Sequence, residues 1–170
     1  MNQVKKIAIL GATSQIGKSL ICEWAGKYSL YLFGRKPESI KSFLEEIKIS
    51  ADGMKLLSYQ NFLNGSYDLI INVVGPGDPR IIKELGKEIL ESSQMYDDMV
   101  LKYLEKNSKA IYIFLSTGAI YGLNYDDLNK YKNLLSVKED QLDAKDFYLL
   151  SKAIIEAKHR SFPKYKIADI

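Results

Sequence analysis

Residues 5–17 read KKIAILGATSQIG, and this stretch constrains the fold more than any other part of the chain. Ile7, Ala8, Ile9 and Leu10 form a short uncharged apolar run that Gly11 ends. A helical repeat of apolar residues begins near Ser14 and continues through Ile16, Leu20, Ile21 and Trp24. The run reads as a buried strand and the repeat behind it as a helix. A strand that feeds a helix through a turn of small residues leaves backbone N–H groups pointing out of the helix start, a geometry that holds phosphate. Gly11 permits the tight turn, and Gly17 lets the helix approach the strand or a ligand. The strict pattern G-x-G-x-x-G wants glycine at Thr13, and the variant G-x-x-G-x-x-G wants it at Ser14. With both glycines absent, a plain strand–helix turn of some other α/β protein stays open on these residues alone.

The same alternation repeats along the chain. Leu30–Phe33 is a second strand, and Pro37 opens a helix with apolar residues at Ile40, Phe43, Leu44 and Ile47. Met54–Tyr59 is a weaker third strand. Tyr67–Val74 is a fourth, continuously apolar enough to lie in the middle of a parallel sheet. Gly75-Pro76-Gly77-Asp78-Pro79 breaks it, and one long helix is predicted over 80–106, its stripe including Ile82, Leu85, Ile89, Met95, Met99, Val100 and Tyr103. Ala110–Leu115 is the fifth strand, followed by a loop over about 118–140 and a helix from Asp143 to about Ser161. Lys166–Ile170 reads as the opening of a sixth strand. Strands alternating with helices imply a doubly wound parallel α/β sheet, and 170 residues suit one domain, 1–170. Ligands of such a sheet sit beyond the carboxyl ends of the strands where the strand order reverses. Gly11, Arg35, Gly75 and Ser116/Thr117 should therefore converge on one crevice.

Other function classes are narrowed by what the chain carries. Its net charge of +3 comes from 24 basic and 21 acidic residues spread along the sequence, which argues against a nucleic-acid partner. Cys22, the one cysteine, is expected in the core of the first helix, so no disulfide or cysteine metal site is expected. His159, the one histidine, is too few for a His-rich metal site or a Ser–His–Asp triad. No signal peptide or apolar run of spanning length is present, so a cytoplasmic protein away from the membrane is expected.

Three sets of residues at the strand ends could do chemistry. The second strand ends in Phe33-Gly34-Arg35-Lys36, with Arg35 where a dinucleotide-binding sheet usually carries an acid for the ribose 2′-hydroxyl. An acid would repel a 2′-phosphate, whereas arginine binds one, so Arg35 points to NADP, with NAD possible, the other reading being a surface arginine at a turn. Tyr148 and Lys152 share a helix face at i, i+4, and a nearby ammonium favours the phenolate, so the pair could exchange a proton with a carbonyl or alcohol. Ser116 and Thr117 end the fifth strand, where a hydroxyl can bond a substrate oxygen.

With these pieces in order the chain resembles the short-chain dehydrogenase/reductase superfamily, and within it the extended branch, the NAD-dependent epimerase/dehydratase family. The resemblance rests on Gly11-Ala12-Thr13-Ser14-Gln15-Ile16-Gly17, Asp68 to Gly75, and Ser116-Thr117-Gly118-Ala119-Ile120-Tyr121-Gly122. It rests further on Ser136-Val137-Lys138-Glu139-Asp140, Tyr148-Leu149-Leu150-Ser151-Lys152 and Glu156. It covers almost the whole chain and implies a Rossmann fold. It implies that Thr117, Tyr148 and Lys152 are catalytic, with Lys152 also holding the nicotinamide ribose. It implies that Gly11, Thr13, Ser14, Gln15, Ile16 and Gly17 form the phosphate loop, that Val74 and Gly75 lie beside the adenosine ribose, and that Tyr121 and Gly122 are structural. A small-molecule substrate, plausibly a nucleotide-linked sugar, and a homodimer packed through the helices near 80–106 and 143–161 follow from the same resemblance. The chain departs from the family pattern at Ser14 and at Ser92-Ser93, where asparagine is usual. It also stops where family members continue with further strands and a substrate region, so those parts are expected to be missing. Two other readings stand beside the enzyme: a dinucleotide sensor that uses the fold without turnover, and a structural domain without cofactor.

Overall fold

The computed structural model describes residues 5–121 and 142–170. Six strands form one parallel sheet: β1 (Lys6–Leu10), β2 (Ser29–Phe33), β3 (Met54–Leu57), β4 (Leu69–Asn72), β5 (Ile111–Phe114) and β6 (Lys166–Asp169). Their order is β3-β2-β1-β4-β5-β6, so the chain reverses its direction of travel between β1 and β4. The register aligns Leu10 with Phe33 on one side and Asn72 on the other, and Asn72 with Phe114. Four strands thus end in one row. Gly11, Gly34, Val73 and Leu115 leave the sheet at the same edge, where the expected crevice lies.

Helices cover both faces. Successive residues of a strand point to opposite faces. Ile7 and Ile9 of β1 meet Ile21 of α1 (Gln15–Trp24) and Ile40 of α2 (Pro37–Glu46), while Ala8 and Leu10 face the other core. That second core holds Val100 and Leu104 of α4 (Glu88–Lys106) and Ile155 of α5 (Ala144–His159). α5 begins in a capping box, with Asp143 accepting from the Asp146 amide at 2.9 Å and Asp146 accepting from the Asp143 amide at 3.2 Å. The box fixes where the helix bearing Tyr148 and Lys152 starts.

Three details differ from the sequence reading. The helix expected over 80–106 is two: α3 (Pro79–Leu85) ends at Gly86, whose φ of +51° favours glycine, and α4 begins at Glu88. Periodicity alone does not reveal that break. Met95 faces solvent on α4, and Cys22 is exposed on α1 rather than packed in the core. α1 buries only Gly17 and Ile21, a stripe too narrow to include Cys22.

Under β4 and β5 runs a buried polar chain. The Val74 amide donates to Asn72 Oδ1 (3.0 Å), Asn72 Nδ2 donates to the Tyr112 hydroxyl (3.0 Å), and that hydroxyl donates to Asp97 Oδ1 (3.0 Å). His159 lies between two carboxylates, with Nε2 2.7 Å from Asp97 Oδ1 and Nδ1 2.5 Å from Asp169 Oδ1.

Candidate active site

The turn after β1 is built from its own hydrogen bonds. The Gly11 amide is shared between the Phe33 carbonyl and the Tyr59 hydroxyl, each at 3.1 Å, and the Ala12 amide reaches the Phe33 carbonyl at 3.0 Å. Gly11 has a φ of +83°, and a β-carbon there would lie 3.0 Å from the Val73 carbonyl. Gly17 is more tightly placed, because a β-carbon on it would sit 2.5 Å from the Gly11 carbonyl oxygen. Ser14 is the helix N-cap, its Oγ accepting from the Gly17 amide at 3.0 Å. Its hydroxyl proton is left for another acceptor. A helix start does not satisfy its first amides internally, so those of Gln15 and Ile16 lie at the mouth of the turn beside exposed Thr13. The first turn of α1 carries no acid. Nothing there repels a phosphate.

Arg35 is exposed just past the end of β2, beside Tyr59. Burial raises the Tyr59 phenol to about 12, Tyr96 adds to the rise, and the Gly11 amide and Arg35 oppose it. On the far side of the crevice, Gly75 (φ +149°) follows half-buried Val74, and a β-carbon on it would stand 3.7 Å from Lys152 Nζ. The loop after β4 and helix α5 therefore face each other across the switch point.

Past β5, the Thr117 hydroxyl lies beside the Tyr148 phenol, near enough to bear on its titration. Burial holds the Tyr148 pKa above its ordinary value, and the Thr117 hydroxyl opposes the rise. Lys152 is almost fully buried, and burial pulls its pKa down to about 8. Its ammonium donates to the Leu115 carbonyl at 2.7 Å and lies over the Phe114 ring at 4.5 Å, while the Tyr148 ring is farther, at 5.8 Å. The expected lowering of the phenol by Lys152 is not seen: the ammonium is held at Leu115 and Phe114, and burial sets the direction of the Tyr148 shift.

The sheet thus brings the residues singled out in the sequence to one edge, beyond the carboxyl ends of its strands. Gly11 to Gly17 and Arg35 lie at one end, and Thr117, Tyr148 and Lys152 at the other, with Gly75 facing Lys152. The Ser136–Asp140 stretch and Gly122 lie outside the described residues. Ser116 takes a different place from Thr117: its hydroxyl donates to Glu156. Tyr121 is 58% exposed, yet its hydroxyl also donates to Glu156. Sequence reasoning gave Glu156 and Tyr59 no role. Glu156 stands at i+4 from Lys152, on the face that carries Tyr148, and that spacing was the available signal.

The donor set suits a dinucleotide: open amides at a helix start, a cation past β2, and a hydroxyl, a phenol and an ammonium past β5. Among the described residues no three acidic, His or Cys side chains cluster to hold a metal ion, and no helix is long and apolar enough to cross a membrane.

Comparisons with known proteins bear on the family and the fold. The sequence matches the NAD-dependent epimerase/dehydratase family over residues 7–162. No curated protein matches it. Among solved structures, a thiolation-reductase di-domain from an archaeal non-ribosomal peptide synthetase is similar, with 14% identity, a TM-score of 0.69, and coverage of 98% of this chain and 51% of that one. Yeast methylglyoxal/isovaleraldehyde reductase Gre2, complexed with NADPH, has 11% identity and a TM-score of 0.70 over 96% of this chain and 56% of that one. UDP-N-acetylglucosamine 4-epimerase from Methanobrevibacter ruminantium, in complex with UDP-N-acetylmuramic acid, has 14% identity and a TM-score of 0.66 over 98% and 53%. The chain spans about half the length of each of these three structures.

Proposed function

The chain belongs to the NAD-dependent epimerase/dehydratase family, and from that premise we propose that residues 1–170 form an NAD(P)-binding domain serving hydride transfer to or from a carbinol carbon. The observation that carries this reading is the Thr117–Tyr148 hydroxyl pair on one side of the switch point, with Lys152 one helical turn along and facing Gly75.

The nicotinamide ring, when bound, supplies or accepts the hydride. The chain's own residues do the rest. The amides of Gln15 and Ile16 and the Ser14 hydroxyl bind the pyrophosphate, with Thr13 at the rim and Gly11 and Gly17 keeping the turn tight. Arg35 takes a ribose 2′-phosphate, which favours NADP over NAD. Val74 and Gly75 line the adenosine ribose, and Lys152 donates to the nicotinamide ribose. Thr117 orients the substrate oxygen. In the reducing direction protonated Tyr148 gives its proton to that oxygen as the hydride arrives at carbon, and in the oxidising direction it takes the proton back. The raised Tyr148 pKa keeps the phenol protonated at neutral pH, ready to act as the acid. Nucleotide-linked sugars are the first substrate class to try, since one similar structure is a UDP-sugar epimerase. A homodimer packed through α4 and α5 belongs to the same reading.

The test is fluorescence titration with NADPH and NADH, followed by incubation with UDP-sugars and simple carbonyl compounds while nicotinamide absorbance and sugar isomers are followed. Binding of NADPH with turnover that Tyr148→Phe reduces by roughly 10²–10⁴-fold, at unchanged NADPH affinity, supports the proposal. Tight NADPH binding without any turnover would make the protein a dinucleotide-binding module instead. Binding of neither nucleotide would end the reading.

A further inference from the structure

The loop that presents Thr117 is held at both ends by one buried carboxylate. Glu156 is 2% exposed. One of its oxygens accepts from the Ser116 hydroxyl, and the other accepts from the Tyr121 hydroxyl and, at 3.4 Å, from Arg160. Ser116 precedes Thr117 directly, and Tyr121 closes the short 3₁₀ turn Gly118–Tyr121 that follows it. The Ser116 amide is engaged separately, donating to the Ile170 carbonyl at 2.6 Å, so its hydroxyl contact with Glu156 is an additional hold.

Tyr148, Lys152 and Glu156 repeat at i, i+4 and i+8 on α5, so they lie along one face of one helix. The helix that carries the phenol thereby also grips the loop that carries its hydroxyl partner. A buried carboxylate is costly unless its oxygens are fully paired, and the pairing here is with the two residues that bracket Thr117 and, at longer range, with Arg160. We propose that Glu156 is a positioning residue: by clamping Ser116 and Tyr121 it sets the Thr117 hydroxyl against the Tyr148 phenol. Glu156 acts through the loop, without touching substrate. The inference rests on the reading of Thr117 and Tyr148 as the proton-handling pair.

The test reads that pair directly. The full chain is labelled with 3-fluorotyrosine, the Tyr148 resonance is assigned by its loss in Tyr148→Phe, and Thr117→Val gives its position with the neighbouring hydroxyl removed. Glu156→Met keeps the length of the side chain and removes both acceptors, so the Tyr148 fluorine resonance should move toward the Thr117→Val position. Glu156→Gln keeps one oxygen acceptor and offers a donor to the other hydroxyl, so its resonance should stay near that of the native chain. The double variant Ser116→Ala/Tyr121→Phe frees the loop without altering α5 and should reproduce the effect of Glu156→Met. It decides the matter if Glu156→Met fails to fold by circular dichroism. Turnover in the variants that move the resonance should fall by roughly 10²-fold, the effect of about 1 Å of misplacement, at unchanged NADPH affinity. A Tyr148 resonance that stays in its native position in Glu156→Met and in the double variant overturns the proposal. The fluorine readout needs no cofactor, so a chain that binds no nucleotide but shows the shift keeps the clamp and loses the proposed function.

Discussion

Lys152 donates its ammonium to the backbone carbonyl of Leu115 at 2.7 Å, which anchors it to the end of β5 rather than leaving it free in the crevice. The contact fixes where the charge lies, and burial makes that charge costly, lowering the Lys152 pKa to about 8. A lysine pKa depressed on folding means that the folded chain binds the proton less tightly than the unfolded chain. The cost is in full force below about pH 8 and fades as pH rises toward the ordinary value of 10.5. Lys152→Met should therefore stabilise the chain at pH 7 by about 2 kcal/mol, net of the lost bond to Leu115, while abolishing turnover. Urea unfolding at pH 7 and pH 10 checks this, with the gain shrinking at the higher pH. A destabilised Lys152→Met protein at pH 7 would show that the Leu115 contact outweighs the buried charge.

Arg35 stands past β2 with no acid beside it in sequence. Arg35→Ala should weaken NADPH binding by roughly 10–100-fold, the worth of a charge-assisted hydrogen bond, and leave NADH binding unchanged. Equal losses for the two nucleotides in a fluorescence titration would remove Arg35 from 2′-phosphate recognition.

Gly17→Ala should cost at least about 2 kcal/mol, because the new β-carbon would lie 2.5 Å from the Gly11 carbonyl oxygen and 2.9 Å from the Ala12 Cα, backbone atoms that cannot rotate away. Gly77→Ala is the comparison: nothing lies within 4 Å of the added carbon, and its stability should stay within about 0.5 kcal/mol of the native chain. Chemical denaturation measures both, and similar midpoints for the two variants would refute the crowding at the turn.

His159 carries a pH dependence. Burial works against its imidazolium, but the hydrogen bonds and charges of Asp97 and then Asp169 outweigh burial and raise its pKa above 6.5. The folded chain holds that proton more tightly than the unfolded chain, so the stabilisation is complete below about pH 6.5 and is lost as pH rises through the raised value. Asp169, raised chiefly by burial, acts with the same sign in a lower range. Lys158, which also pairs with Asp97, stays charged throughout. The melting temperature should fall from pH 6 to pH 8, and His159→Gln should lose about 2 kcal/mol at pH 6 and flatten the slope. A melting temperature that climbs over this interval contradicts the assignment.

The placement of much of the candidate site was legible because its residues sit where a strand ends or a helix face repeats. Gly11, Arg35, Gly75 and Thr117 each follow a strand, and the register brings those ends into one row. Helical spacing put Tyr148 and Lys152 on one face, and their place after the fifth strand and the resemblance to the family motif singled them out. The contacts that tune the site were not legible, because tertiary packing alone makes them. Tyr59 reaches the Gly11 amide across 48 positions, Ser116 reaches Glu156 across 40, and His159 reaches Asp97 across 62. No local pattern encodes such pairs. The break at Gly86 was hidden for a simpler reason: the apolar repeat continues on both sides of it, and one glycine with positive φ is enough to end a helix.

The polar chain from Asn72 through Tyr112, Asp97 and His159 to Asp169 ties β4, β5, α4, α5 and β6 into one unit, since each member satisfies the next and losing one leaves a buried group bare. On the other face, α1 and α2 pack against the sheet through an apolar core that includes Ile7, Ile9, Ile21, Leu32 and Ile40. A shift of α5, which carries Tyr148 and Lys152, would have to break one of the polar chain's links.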